Sequence, residues 1–367
     1  MSVNEYSHVR GALVLETGEV FWGSLTTHKD IPFRAKAGEV VFNTSHSGYE
    51  EVATDPSYFS QIVLMTAPQQ GNYGADSETW ESRKIWIEGF ICLQIQNSER
   101  DLSWQKRLLE NHVPLLSQID TRALTLRLRS GGTVWGATVQ AENEAQARDL
   151  AGPVISKGKE KDKDWVFLTS RTAIEKRQGQ NPQGPKAVVL DFGCKENILR
   201  ELQQQCKELV ILPSRTSAED VMAQKPDFVM LTNGPGDPDQ VQVAPATVQK
   251  LIGQVPIFGI CMGHQILGLA LGAKTYKLKF GHRGSNHPIK DQVLNKIYIT
   301  SQNHGYAIEA STLPKDVLVT HTNLNDQTVA GIQQLSKKIF SVQFHPESCP
   351  GPHEASELFS YFVKSVI

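Results

Sequence analysis

Cys261 lies between two glycines in the stretch Gly259-Ile260-Cys261-Met262-Gly263-His264-Gln265, after the apolar run Val255-Pro256-Ile257-Phe258 and before a helical pattern from Ile266 to Leu271. Glycine two residues away on both sides is what a sharp strand-to-helix turn needs where neighbouring backbone crowds those positions. Such a turn lifts the side chain at its apex above the sheet. The apex would sit at a helix N-terminus, where unpaired N–H groups and the positive end of the macrodipole favour thiolate over thiol. A buried core cysteine is the plain alternative, and it has no need of paired glycines.

A nucleophile needs a base, and the base needs a group to orient it. Near the C-terminus the chain reads Ile339-Phe340-Ser341-Val342-Gln343-Phe344-His345-Pro346-Glu347, a strand pattern running into His-Pro-Glu. Pro346 biases His345 toward extended backbone, and residues two apart in an extended segment share a face. The expectation is that Glu347 steadies the His345 imidazole while the imidazole takes the Cys261 proton. Alone, His345 would read as structural and Glu347 as a solvated charge. Cys194 is a rival nucleophile, following a strand and a glycine, but it lacks the second glycine.

These residues need a sheet to carry them. From Lys186 onward strands and helices alternate, predicting a mostly parallel sheet with helices on both faces, reactive residues gathered at the C-terminal strand ends. Expected strands are Ala187 to Phe192, Leu209 to Leu212, Phe228 to Thr232 and Val255 to Ile260. Expected helices are Glu196 to Cys206, Ala218 to Gln224 capped by Ser217, and Ala246 to Ile252. Ile297 to Thr300, Val317 to His321 and Ile339 to Phe344 read as later strands. The first part reads as a smaller mixed α/β domain. Gly11 to Gly23 forms a hairpin, Glu39 to Asn43 and Gln61 to Thr66 are strands, and Leu102 to Asn111 and Thr121 to Arg129 are helices, the second capped by Asp120 and stopped by Gly131 and Gly132. The domain boundaries expected are 1–150, a linker 151–185 in which Lys157 to Asp164 and Gln178 to Pro185 are solvated connections, and 186–367.

Composition narrows the classes. With 367 residues, 37 Lys and Arg against 39 Asp and Glu, and a formal net charge of -2, the chain has no overall basic field for nucleic acid or anionic membrane. No apolar run approaches a membrane span, and Met1 to His8 does not resemble a signal peptide, so a cytoplasmic location is expected. The five cysteines, Cys92, Cys194, Cys206, Cys261 and Cys349, are scattered without C-x-x-C spacing, which indicates neither a disulfide framework nor a zinc site. There is no phosphate loop and no dinucleotide fingerprint, so no ATP or NAD site is expected in this chain.

Two further motifs arrive where Cys261 does. Asn233-Gly234-Pro235-Gly236-Asp237-Pro238 follows a predicted strand; the amide of Gly234 or Gly236, with that of Met262, could stabilise an oxyanion, while a plain Pro/Gly turn is the alternative. Ser301-Gln302-Asn303-His304-Gly305-Tyr306 ends another predicted strand and offers amides and backbone to a polar zwitterion. His264 is too close to its own elbow to act as base, and His304 has no carboxylate two residues on. Both are expected to be structural.

In Gly259 to Gln265, Asn233 to Pro238 and His345-Pro346-Glu347, the second half resembles the class I (triad) glutamine amidotransferases. The first half, through Gly38-Glu39-Val40-Val41-Phe42-Asn43-Thr44-Ser45, Gly48-Tyr49, Thr54-Asp55-Pro56-Ser57-Tyr58, Gly71-Asn72-Tyr73-Gly74 and Ile119-Asp120-Thr121-Arg122, resembles the small-subunit family of carbamoyl phosphate synthetases. The resemblance implies a class I glutamine amidotransferase fold and a Cys261, His345, Glu347 triad that hydrolyses L-glutamine through a glutamyl thioester. Glutamine would be held by Ser57, Gly234, Gly236, Met262, Gln265, Asn303, Gly305 and Tyr306, with a supporting contact from Lys195. Met262 and Tyr306 replace the more usual leucine and phenylalanine; the first contributes its backbone and the second stays aromatic. The resemblance implies no cofactor in this chain. Its partner would be the large subunit, which uses ATP and divalent metal to make carbamoyl phosphate from bicarbonate and ammonia for arginine and pyrimidine synthesis, in a heterodimer or higher oligomer. Another cysteine hydrolase, such as a γ-glutamyl hydrolase, would leave the first half without a role. A non-catalytic regulatory subunit would be expected to have lost Cys, His or Glu.

Overall fold

Strand alternation organises the first unit. In β1 (Tyr6–Leu15), Leu13 and Leu15 turn into one apolar cluster and Ala12 and Val14 into another, as the two-residue period dictates. The computed structural model describes residues 6–96, 104–160 and 163–366. The chain divides into two compact units, Met1–Asp162 and Lys163–Ile367.

In the first unit β1 turns through Gly18, at φ 94, into β2 (Val20–His28). Then come β3 (Lys36–Asn43), α1 (Tyr49–Thr54), β4 (Gln61–Met65), β5 (Gln69–Gln70), β6 (Gly89–Ile91), β7 (Gln94–Ile95), α2 (Trp104–Glu110), β8 (Leu115–Ser117), α3 (Thr121–Gly131), β9 (Val134–Gln140) and α4 (Glu144–Lys159). Seven strands close a barrel in the order β1-β2-β8-β6-β4-β3-β9, and β5 pairs with β7 separately. Closure was not legible in the sequence, because β6 and β8 are three-residue strands without a readable period. Leu25, Val40, Ile62, Ile91 and Leu116 from different barrel strands meet Leu124 and Leu128 of α3. Asp120 caps α3 as expected, accepting the Ala123 N–H at 2.8 Å. The helix includes Gly131, and its stop is Gly132, at φ 87. Leu102 and Ser103, the expected start of α2, lie outside the described residues.

Residues 157–159, expected as solvated loop, belong to α4. Asn143 caps this helix, and Ala147, Ala151 and Ile155 lay an apolar stripe on Ala12, Ala37 and Ala137. The stripe is built of alanines, so its periodicity is easily passed over. A Cβ at Gly158 would stand 2.8 Å from the Trp135 ring, which shows how closely the last turn packs.

The second unit opens with α5 (Trp165–Thr169) and β10 (Glu175–Gln178), regular structure inside the stretch read as linker. It continues with β11 (Lys186–Asp191), α6 (Glu196–Gln205), β12 (Glu208–Pro213), α7 (Ala218–Ala223), β13 (Phe228–Leu231), α8 (Ala244–Leu251), β14 (Ile257–Ile260), α9 (Met262–Ala270), β15 (Thr275–Asp291), β16 (Lys296–Ile308), β17 (Leu318–Asn323), β18 (Val329–Gln334), β19 (Ile339–Val342) and α10 (Glu357–Val366). One ten-stranded sheet runs β10-β12-β11-β13-β14-β19-β18-β17-β15-β16. The five strands from β12 to β19 are parallel, whereas β10 and the strands from β18 to β16 pair antiparallel. The sheet is therefore mixed rather than mostly parallel. Its antiparallel half comes from strands whose polar, bulged sequences carry little alternation.

Helices cover both faces of the parallel core, as expected. Ala187 and Val189 face Ile198 and Leu202 of α6 and Phe359 and Phe362 of α10. Val188 and Leu190 face the cluster holding Val221, Val248 and Leu267. Phe258 packs 4.6 Å from Phe362 and 5.6 Å from Phe340, ring to ring, anchoring the strand that leads to Cys261. Among the described residues no helix is long and apolar enough to cross a membrane.

Candidate active site

β14 ends at Ile260 and α9 begins at Met262, leaving Cys261 at the turn with φ 53 and ψ -103. The flanking glycines are there for space. A Cβ on Gly263 would lie 2.2 Å from the Leu231 carbonyl oxygen, and one on Gly259 would lie 2.8 Å from that of Gly263. Both distances are below any real contact, so the turn closes only with glycine at these positions. The Cys261 N–H donates to Val342 O at 2.9 Å, tying the apex to β19, and Gly263 N–H donates to Thr232 O at 2.9 Å. Sγ is buried, 3.6 Å from Asn303 O.

β19 carries the chain to His345, whose N–H donates to Ser301 O at 2.9 Å, and Ser348 N–H donates back to His345 O at 3.1 Å. His345 is extended as expected from Pro346, bridged antiparallel to Ser301, but Pro346 and Glu347 turn away instead of continuing the extended segment. The turn, rather than strand alternation, directs the Glu347 carboxylate back to the ring: His345 Nδ1 and Glu347 Oε1 are 2.7 Å apart. Burial works against charge on His345, but the Glu347 carboxylate and the Cys261 sulfur outweigh it and push its pKa up to about 10. Nε2, the other ring nitrogen, is buried and makes no hydrogen bond of normal geometry.

Burial also disfavours ionised Glu347, yet Lys195 and His345 hold its pKa down to about 2. Lys195 Nζ stands 3.1 Å from Glu347 Oε1 and donates as well to Ser348 O. The resemblance implied a supporting contact from Lys195, and in the fold its Nζ lies on Glu347. Lys195 N–H donates to Asn233 Oδ1 at 3.0 Å, and Asn197 Nδ2 donates to Glu347 O. Asn197 was missed, although it opens α6 only two residues beyond Lys195.

Gly234 and Gly236 follow β13, as expected. A Cβ on Gly234 would lie 2.2 Å from Phe192 O, and Gly236 has φ 91, so both positions demand glycine. Gln265 Nε2 donates to Tyr306 O at 2.8 Å and to Gln343 Oε1 at 3.1 Å. Gln343, two residues before His345, was also missed, and strand alternation would have pointed to it. Asn303, Gly305 and Tyr306 lie within β16, not at its end. The strand runs on because β15 pairs with it across two register shifts, between Lys277 and His282 and between Gly284 and His287, which bend the hairpin. Ser57 belongs to the first unit, in the turn Pro56–Tyr58, with its N–H donating to Asp55 Oδ1 at 2.8 Å.

The rival groups are occupied elsewhere. Burial pushes the Cys194 thiol well above its ordinary range, and Sγ donates to Lys195 O at 3.3 Å. His264 Nδ1 contacts Ser341 Oγ at 2.8 Å, and burial lowers its pKa to about 3. His304 is held by Tyr306 O at 2.8 Å and Gln302 Oε1 at 2.9 Å, its pKa depressed by burial and by His282. Among the described residues no cluster of three or more His, Cys, Asp or Glu could hold a metal.

Residues 188–365 match the family Glutamine amidotransferase class-I, and residues 13–138 match Carbamoyl-phosphate synthase small chain, CPSase domain. The carbamoyl phosphate synthase small chain of Symbiobacterium thermophilum is 46% identical over 341 residues, spanning 90% of this chain and 93% of that one. Those of Clostridium perfringens and Methanocaldococcus jannaschii are each 42% identical, spanning 97% of this chain and 99% of theirs. A sulfur elbow, a buried His–Glu pair and end-to-end similarity on this scale lead to one assignment: the chain belongs to the carbamoyl phosphate synthase small chain family.

Proposed function

We propose that this chain hydrolyses L-glutamine and supplies the ammonia to a large synthetase chain that forms carbamoyl phosphate. Cys261 Sγ attacks the carboxamide carbon with its proton already held on His345 Nε2, in keeping with the raised pKa of that imidazole. The resulting oxyanion is met by the N–H of Met262 and of Gly234 or Gly236. The C–N bond then breaks, His345 returns its proton to the nitrogen, and ammonia leaves a γ-glutamyl thioester. Water, losing a proton to His345, attacks the thioester, and glutamate departs with the thiol restored. Glu347 orients the imidazole and offsets its charge. Gln265, Asn303, Gly305 and Tyr306 hold the amino-acid end.

The observation that carries this reading is the His345 ring, held at Nδ1 2.7 Å from Glu347 and raised in pKa by the Cys261 sulfur as well as by that carboxylate. Ammonia is useful only to a partner that shields it from solvent. The reading is therefore of a cytoplasmic heterodimer with the large chain, or a higher oligomer of such pairs, with ATP and divalent metal on the large chain. Coupled assays of the paired chains test it: glutamine-dependent synthesis should vanish in Cys261→Ser while synthesis from added ammonia persists. Undiminished glutamine hydrolysis in that variant would remove the assignment.

A further inference from the structure

α5 is only five residues long, yet its first residue and its cap meet the glycine loop and the segment that follows it. The Trp165 ring fills the side of Gly236 where a side chain would be, 3.3 Å from the position a Cβ would take. Thr169 Oγ1 at the other end of α5 donates to Trp165 O at 2.9 Å and lies 3.4 Å from Phe192 O, the same carbonyl that forms the floor under Gly234. Ahead of the helix, Asp164 caps it through Phe167 N–H at 3.1 Å and accepts from Gln242 N–H, beyond the loop, at 3.3 Å. Arg215 Nη2 donates to Asp164 Oδ2 at 2.8 Å, and its guanidinium lies 3.8 Å from the centre of the Phe167 ring.

Val166 is fully buried in the cluster with Val188 and Leu190, whereas Phe167 and Leu168 are 46% and 38% exposed. Beyond that one apolar anchor, Trp165 meets Gly236 and the helix cap Asp164 meets the Gln242 N–H. Oxyanion donors act through fixed position, and a displacement of about 1 Å can cost on the order of a hundredfold in rate. Glycines cannot supply that rigidity themselves.

We propose that Trp165 and Asp164 are positioning residues for glutamine hydrolysis, fixing the Gly234 to Gly236 loop above Cys261. The proposal rests on the reading of that loop as glutamine's binding and oxyanion site.

The test uses the full chain paired with its large chain. Trp165→Ala should lower glutamine-dependent kcat/KM at least about tenfold, with synthesis from added ammonia unchanged. Trp165→Phe, which keeps a ring against Gly236, should recover most of the loss. Asp164→Asn, which keeps the cap and drops the charge facing Arg215, should fall between them. Labelling of Cys261 by a glutamine-shaped diazoketone should slow in parallel, while labelling by iodoacetamide, which needs no loop, should hold its rate. Glutamine kinetics within twofold of wild type in Trp165→Ala would overturn the proposal. Parallel loss of both ammonia-dependent and glutamine-dependent synthesis would do so too, since it would mark a merely structural residue. If wild-type glutaminase activity survives Cys261→Ser, it is the reading of the site that fails, and not the brace.

Discussion

Lys195 Nζ and Glu347 Oε1 lie 3.1 Å apart with side-chain exposures of 2% and 0%, so the carboxylate beside the His345 ring is itself held ionised by a buried cation. Removing one partner of such a pair leaves the other charge stranded, at about 3–5 kcal/mol. Lys195→Met should therefore destabilise the protein by about that much in urea unfolding. The double variant Lys195→Met with Glu347→Gln should cost less than Lys195→Met alone. A double-variant loss equal to the sum of the Lys195→Met and Glu347→Gln losses would mean the two side chains are not coupled.

His345→Asn should be nearly as damaging to glutamine hydrolysis as loss of Cys261, because thiol deprotonation and leaving-group protonation both pass through one ring. Glu347→Gln should cost less. Residues that act as a unit lose activity non-additively, so the double variant should be little worse than His345→Asn. Steady-state kcat values of the three variants decide it, and multiplicative losses would separate the two roles.

Stability should respond to pH on both flanks, with opposite signs. Glu347 is held down to about 2 from an ordinary 4.5, so its contribution is complete above about 4.5 and fades as pH falls from there toward 2. His345 is raised to about 10 from 6.5, so its contribution is complete below about 6.5 and fades as pH rises toward 10. Urea midpoints recorded across pH should show the alkaline decline in wild type and a flatter profile in His345→Asn. Identical alkaline slopes would assign the decline to other groups.

Gly263→Ala should cost about 3 kcal/mol, since its Cβ would meet the Leu231 carbonyl oxygen at 2.2 Å and backbone cannot step aside as a side chain can. Gly152→Ala is the control: it lies in α4 with nothing within 4 Å of a new Cβ, and should be neutral or slightly stabilising. Thermal melting of the two variants compares them directly.

The elbow was legible because steric demand writes glycine into the sequence on both sides of Cys261. The parallel core was legible because Ala187 to Leu190 is buried on both faces and reads as an unbroken apolar run. What escaped is what alternation does not encode. Barrel closure depends on the three-residue strands β6 and β8, and α4 hides its stripe in small residues. The antiparallel half of the second sheet runs through Gly281 to His287, where bulges and polar side chains erase the period. The Lys195–Glu347 pairing escaped for a related reason: sequence order gives the lysine's distance from the strand end but not its direction, which a buried carboxylate 152 positions away decides.

Cys261 occupies φ 53 and ψ -103, a backbone region that side-chain-bearing residues enter at a cost of ~1–3 kcal/mol and that glycine enters freely. The fold would therefore tolerate Cys261→Gly better than it tolerates its own nucleophile, and the glycine variant should melt at a higher temperature than wild type. Reactivity here is maintained against the thermodynamic preference of the scaffold. In a lineage supplied with free ammonia, where glutamine hydrolysis is no longer under selection, decay would be expected to begin at this codon, with the protein still folded.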